Sequence, residues 1–310
     1  MGKNLVSVTM LLACSLLVAG CHKGSAAMRE FQVQAADVSL HVRMAGNPDS
    51  GCVVVAINGG PGLTSSYMLD MESLAGADCA VVTYDQRGVG KSTQPANPDS
   101  TASYTLEKYA EDVEAIRQVV GAERLQVMGH SFGGIVAMQY AILYPERVVS
   151  LIFFGSGPPT WSDIEISQQR FSGRVEALMQ AGIIPHPSEW GDSGIDPLLP
   201  AYFSDPTFTF PEDARGGPPE FSQAVSDLTS PNLVGMDLRA ELALVRKPVL
   251  LVFGRDDPFG LPMAEATRDA LASAEVDFAV IDGCGHFWHE CPDEFYPHVR
   301  QFLGLEVTRN

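Results

Sequence analysis

Apolar positions along this chain alternate between strand-like runs and helix-like stripes. Phe31–Val33 and Ser39–Met44 read as an opening antiparallel pair, and Cys52–Ile57 and Cys79–Tyr84 are near-continuous apolar runs, as expected of strands buried on both faces. Leu106, Tyr109, Val113, Ile116 and Val120 step by three and four, the stripe of an amphipathic helix. Leu125–Met128 is a short strand followed by a helical run through Ile135, Val136, Met138, Tyr140 and Ala141. Val148–Phe154, Val249–Phe253 and Val276–Ile281 complete the strands, and Pro292–Leu303 closes the chain as a helix. Strands separated by helices in this order predict a mainly parallel sheet covered on both faces.

One stretch breaks the rhythm. Between Pro158 and Gly235 lie 11 of the 21 prolines, no clear strand and one convincing helix, about Ile164 to Gln180. Irregular inserts of that length are normally lids or linkers. Because the alternation resumes at Pro248, the expectation is one core domain (21–157 and 236–310) with a cap inserted over 158–235.

The first 20 residues read as a targeting segment rather than as fold. Lys3 supplies a short positive region, Leu5 to Val18 is apolar, and Val18-Ala19-Gly20-Cys21 closes the run. The apolar run falls short of the ~20 residues that a spanning helix needs. A cysteine directly after Ala-Gly resembles the bacterial lipoprotein cleavage box, which implies removal of residues 1–20, acylation of Cys21 and an exported, lipid-anchored protein of the cell envelope. A plain signal peptide is the alternative. The net charge is −18, and removal of residues 1–20, which hold one Lys and no acid, makes it −19. Such a chain is repelled by nucleic acid and by anionic lipid. Export would place Cys52, Cys79, Cys284 and Cys291 in an oxidising compartment, where four cysteines allow three pairings. Their spacing fits no zinc pattern, and no motif calls for a metal, nucleotide or flavin cofactor.

The chemistry concentrates at Gly129-His130-Ser131-Phe132-Gly133. Strand, G-x-S-x-G, helix is the arrangement that holds a serine on a strained turn, with glycines where a Cβ would not fit. A serine hydroxyl needs a base, and the base needs an orienting acid. Both come later in the chain in that family of arrangements' order, acid then base, each just past a strand: Gly254-Arg255-Asp256-Asp257, then Asp282-Gly283-Cys284-Gly285-His286. We assign Ser131 as nucleophile, His286 as general base and Asp257 as the orienting carboxylate, with Asp256 and His289 as competitors for the acid and base roles. The oxyanion donors are the backbone N–H groups of Phe132 and of Gly60, in the glycine-rich loop Asn58-Gly59-Gly60-Pro61-Gly62, with Gly59 second to Gly60. His130 is expected to be a packing residue. His22, His41, His186 and His298 carry no motif and are expected at the surface.

That loop, together with Tyr84-Asp85-Gln86-Arg87-Gly88-Val89-Gly90-Lys91-Ser92 and Gly129-His130-Ser131-Phe132-Gly133-Gly134, resembles the proline iminopeptidase branch of the α/β-hydrolases over about Phe31 to Leu303. The resemblance implies an α/β-hydrolase fold, with a mostly parallel eight-stranded sheet and a mainly helical cap. It also implies a serine aminopeptidase that releases N-terminal residues, often proline, from peptides or amides. Asp85 and Arg87 would brace the loop. Cap acids in that branch typically pair with the substrate's free amine, which makes Glu165, Glu176, Glu189, Glu212 and Glu220 candidates. Two positions depart from the pattern of proline-releasing members: Phe132 stands where Trp is common, and Asn58 where His is commoner. The implied fold makes the strands that begin at Cys52 and Cys79 parallel neighbours, which suggests a Cys52–Cys79 bridge and leaves Cys284–Cys291 flanking the base.

A carboxylester hydrolase would use the same triad, and only the cap separates it from a peptidase. An epoxide hydrolase or dehalogenase would need an aspartate in place of Ser131. A binding protein without catalysis is the rival from another class. The sequence implies a small peptide, amide or ester as partner and sets no oligomeric state.

Overall fold

The computed structural model describes residues 28–190, 194–211 and 217–305. The targeting segment, Cys21, His22 and Glu212 lie outside these residues.

Eight strands form one sheet: β1 (Arg29–Ala35), β2 (Val38–Gly46), β3 (Val53–Ile57), β4 (Ala80–Tyr84), β5 (Leu125–His130), β6 (Val148–Phe154), β7 (Val249–Gly254) and β8 (Val276–Ile281). Their spatial order is β1-β2-β4-β3-β5-β6-β7-β8. Only the β1–β2 and β2–β4 pairings are antiparallel, and β4, β3, β5, β6, β7 and β8 run parallel. All five residues of β3 are buried: Val53, Val55 and Ile57 join the core on one face, Val54 and Ala56 the core on the other. This two-sided burial is why the run is continuously apolar rather than alternating. The edge strands β1 and β8 keep exposed or half-buried positions instead.

The helices are α1 (Leu106–Val120), α2 (Phe132–Leu143), α3 (Trp161–Gln180), α4 (Leu199–Tyr202), α5 (Gln223–Thr229), α6 (Arg239–Leu242), α7 (Pro262–Ala270) and α8 (Pro292–Phe302). The side chain of Thr105 accepts the Lys108 N–H to open α1, and Gly121 ends that helix in the left-handed region, where a Cβ would be strained. The apolar stripe of α1 joins the core on one sheet face, while α8 packs into the core on the other.

Among the described residues, no strand of the sheet falls between β6 and β7. That interval carries α3 to α6, with one isolated β-bridge pairing Thr160 and Asp237 at its base and another joining Phe221 to Leu63. α3 starts at Trp161, three residues earlier than its periodicity indicates, because the Thr160 hydroxyl accepts the Asp163 N–H at 3.2 Å. The 3-10 helix Ser66–Leu74 gives no periodic signal, since a three-residue repeat does not produce the 3.6-residue stripe of an α-helix.

Candidate active site

Ser131 sits between β5 and α2 with φ 54° and ψ −124°, the single non-glycine residue of positive φ among the described residues. Such backbone costs roughly 1–3 kcal/mol and persists only where its surroundings enforce it. Here the Ser131 N–H donates to the Phe154 carbonyl at 3.3 Å, and its own carbonyl accepts the Gly134 and Gly157 N–H groups, each at 2.9 Å. A Cβ on Gly129 would strike the backbone of Gly133, and one on Gly133 would strike the carbonyls of Ile57 and Asn58. These contacts are the steric reason for glycine on both sides of the serine.

Asp257 lies just past the end of β7 and His286 just past the turn after β8. The Asp257 Oδ2 is 2.8 Å from His286 Nδ1, and both residues are buried. A carboxylate accepts, so Nδ1 carries a hydrogen, and in the neutral ring Nε2 then presents a bare lone pair. That Nε2 is buried and has no hydrogen-bond partner among the described residues. Asp257 Oδ1 accepts the Phe259 N–H at 2.9 Å, which fixes the carboxylate plane. Asp256 is exposed and its Oδ2 accepts from the Ser204 hydroxyl at 2.9 Å, so it faces the 158–235 segment rather than the histidine. His289 donates from Nε2 to the Tyr67 carbonyl at 3.1 Å and stacks on Trp288. His130 is also buried and fully hydrogen-bonded.

Ser131, His286, Gly60 and Phe132 line one cavity of about 720 Å³. Phe132 is the first residue of α2, and the first N–H groups of a helix lack intrahelical partners. The cavity's far wall comes from the 158–235 segment, with Ile164, Phe171, Trp190, Ile195, Tyr202, Phe221 and Leu233 among its apolar members and Ser167, Gln168, Gln223, Ser226 and Ser230 among its polar ones. No Asp, Glu, Lys or Arg among the described residues lines it. Glu165, Glu176, Glu189 and Glu220 are all exposed and absent from this wall.

The braces fall where the motifs suggest. Asp85 accepts from the Ser65 N–H at 3.0 Å and from the Lys91 N–H at 2.9 Å. Arg87 is fully buried and grips Asp112 through Nε at 2.8 Å and Nη2 at 2.7 Å. The side chain of Asn58 donates to the carbonyls of Gly59 and Leu63, at 3.0 and 2.7 Å, so it serves the loop, while Phe132 faces the cavity. Cys52 is bonded to Cys79 and Cys284 to Cys291. His186 and His298 are exposed as expected. His41 is not: it is buried on β2, with Nε2 3.3 Å from Glu30 and Nδ1 3.7 Å from Asp85, because β1 and the Asp85 loop cover that strand.

Two contributors were invisible in the sequence. Glu290 accepts the Gly285 and Ser204 N–H groups, each at 2.8 Å, and the Asp205 N–H at 3.0 Å, clamping the histidine loop to the 158–235 segment. Burial pushes its pKa up against the pull of those three donors. Tyr67 accepts the Gly59 N–H at 2.6 Å. Neither belongs to a motif, and only proximity in space reveals them.

The sequence matches the alpha/beta hydrolase family over residues 54–298. The chain belongs to that family. It is 28% identical over 283 residues to the proline iminopeptidase of Lactobacillus helveticus, covering 85% of this chain and 93% of the relative. The crystal structure of the proline iminopeptidase of Mycobacterium smegmatis superposes with a TM-score of 0.65 at 22% identity, covering 89% of this chain and 98% of that one. The 2-hydroxy-6-oxo-6-phenylhexa-2,4-dienoate hydrolase of Rhodococcus sp. superposes with a TM-score of 0.68 at 21% identity, covering 90% and 100%. These likenesses carry the fold. Three-dimensional similarity to two hydrolases of such different names does not select a substrate.

Proposed function

We propose that this alpha/beta hydrolase is a serine hydrolase working through an acyl-enzyme, with Ser131 as nucleophile, His286 as base and Asp257 as orienting acid. The observation that carries the reading is the buried contact between Asp257 Oδ2 and His286 Nδ1 at 2.8 Å: in the neutral ring it places the hydrogen on Nδ1 and leaves Nε2, without a partner among the described residues, to take the Ser131 proton at the cavity. The hydroxyl oxygen then attacks the substrate carbonyl, and the N–H groups of Gly60 and Phe132 stabilise the resulting oxyanion. Collapse returns the proton from His286 to the leaving group, and water repeats the sequence to free the acid.

The leading substrate class is that of an aminopeptidase of proline iminopeptidase type, supported by the loop sequences and by the relative that is 28% identical. One observation favours a second reading, a carboxylester hydrolase. A free α-amine is a cation, and a cation removed from water needs a carboxylate partner. The cavity wall offers none among the described residues, and of the cap candidates Glu212 is the one that lies outside them.

The N-terminal sequence leads us to infer export and lipid attachment at Cys21 as well. The two disulfides are consistent with an oxidising compartment. Among the described residues no helix is long and apolar enough to cross a membrane.

Hydrolysis of proline and alanine arylamides, with free and with blocked amino termini, beside a short-chain nitrophenyl ester, tests the assignment. Cleavage of free-amine arylamides alone is the expected result for an aminopeptidase, and ester turnover alone moves the protein to the second reading. Ser131→Ala is expected to reduce either activity by at least about 10³-fold with folding retained. Undiminished turnover in that variant would reject the triad.

A further inference from the structure

His130 ends β5 one residue before Ser131, and the hydrogens around its buried ring can be placed. Nε2 lies 2.9 Å from the backbone carbonyl of His286, an atom that only accepts, so Nε2 carries a hydrogen. Burial first, and the neighbouring His286 second, hold the His130 pKa well below the ordinary histidine value. The ring is therefore neutral and its Nδ1 is bare. Tyr67 Oη is 2.7 Å from that Nδ1 and must donate to it, while the same oxygen accepts the Gly59 N–H at 2.6 Å. The bonds run one way: Gly59 N–H to Tyr67, Tyr67 O–H to His130, His130 N–H to the His286 carbonyl. One end of this chain is the loop carrying Gly60. The other is His286 itself, and the middle is the residue beside Ser131.

We propose that Tyr67 and His130 are positioning residues, a hydrogen-bonded strut that sets the spacing between the oxyanion loop and the general base on either side of Ser131. The proposal rests on the triad assignment above. It also separates the two glycines of the loop, because the Gly59 N–H is engaged by Tyr67 and Gly60 is left as the oxyanion donor. Phe287 and Trp288 pack around Tyr67 and His130 with ring centroids 5.1–5.8 Å away, which keeps water from competing for the links.

The first test needs no substitution. In wild-type protein labelled with 15N-histidine, His130 is expected to show a protonated Nε2 and a bare Nδ1, unchanged from about pH 5 to about pH 9. An Nδ1–H tautomer, or titration within that range, overturns the strut. The second test is kinetic. Tyr67→Phe and His130→Asn are each expected to lower kcat about 10- to 100-fold with KM within about threefold, since small misplacements of catalytic groups act on the chemical step. The double variant should fall no further than the worse single one, as for residues acting as a unit. A folded variant with kcat within about twofold of wild type overturns the proposal, and if neither variant folds the tautomer measurement decides alone. Ser131→Ala distinguishes the two layers: retained turnover there removes the triad assignment and the strut's purpose with it, whatever tautomer His130 shows.

Discussion

The two walls of the cavity are built on different physics. On the sheet side, each group of the proposed machinery is held by demands that few residues satisfy. Ser131 occupies a backbone region that its neighbours enforce, glycines stand where a Cβ would collide, and Asp257 and His286 meet at 2.8 Å from the ends of adjacent strands. On the side of the 158–235 segment, the wall mixes aromatic and aliphatic side chains with uncharged polar ones. Phe171 of α3 stacks on Phe259 with centroids 4.9 Å apart, and Tyr202 lies 5.6 Å from the His286 ring. Many side chains of similar volume would serve there, because packing tolerates apolar exchange better than hydrogen-bonded geometry does. The proposed machinery and the wall that faces it thus rest on separate parts of this molecule, with unequal tolerance to change.

The largest expected effect lies on the sheet side. Asp257→Asn should reduce kcat by about 10²- to 10⁴-fold on any substrate, since the amide no longer fixes the Nδ1–H tautomer. Steady-state kinetics check this, and a loss confined to KM would contradict the assigned role. Phe171→Ala is the matching change across the cavity. It should raise KM for bulky acyl groups about tenfold while kcat for the smallest substrates stays within about threefold. Equal losses on large and small substrates would show that the cap takes part in the chemistry.

The disulfides sharpen the same contrast. In the chain-entropy picture, Cys52–Cys79, spanning 27 residues, stabilises by about 3.5 kcal/mol, and Cys284–Cys291, spanning 7, by about 2.5 kcal/mol. Replacing the first pair by serine should therefore lower the thermal midpoint more and leave kcat nearly unchanged. Replacing the second should lower it less but reduce kcat severalfold, because that bridge encloses the His286 loop and Glu290. Melting curves and turnover on the two double variants would separate these outcomes.

The smallest effect concerns the sheet's helical support. Burial tends to raise the Glu114 pKa, but hydrogen bonds from Arg117, Gln118 and Tyr140 outweigh it and leave the value at about 2, below the ordinary glutamate value of 4.5. A depressed folded pKa contributes stability that is present above the unfolded value and is lost as pH falls. Wild type should accordingly weaken between about pH 4.5 and about pH 2, and Glu114→Gln should flatten that part of the stability curve. Chemical denaturation at several pH values measures it, and identical curves for both proteins would refute the effect.

Periodicity alone placed eight strands within a few residues of their ends, because strands buried on both faces and helices buried on one have no other way to arrange apolar side chains. The order serine, aspartate, histidine was equally readable, since each lies just past a strand and the loops there meet at the carboxyl edge of a parallel sheet. The resemblance to proline iminopeptidases added the cysteine pairs and the bracing roles of Asp85 and Arg87. Other features could not be read this way. His41 carries no motif, and its burial depends on β1 and the Asp85 loop folding over it. Tyr67 reaches His130, 63 residues away, and Glu290 reaches Ser204, 86 residues away, through contacts that no spacing rule encodes. The cap wall is the extreme case: its acids were countable in the sequence, but which of them would face the substrate depends on how α3 and the proline-rich chain after it pack. Local sequence thus determined the fold, the strained turn at Ser131 and the order of the proposed triad, because these depend on sterics and strand topology. Tertiary structure alone decided that Asp257 meets Nδ1 of His286, that Tyr67 reaches His130, and that the described wall of the cavity is uncharged, because each of these depends on atoms brought together from separate parts of the chain.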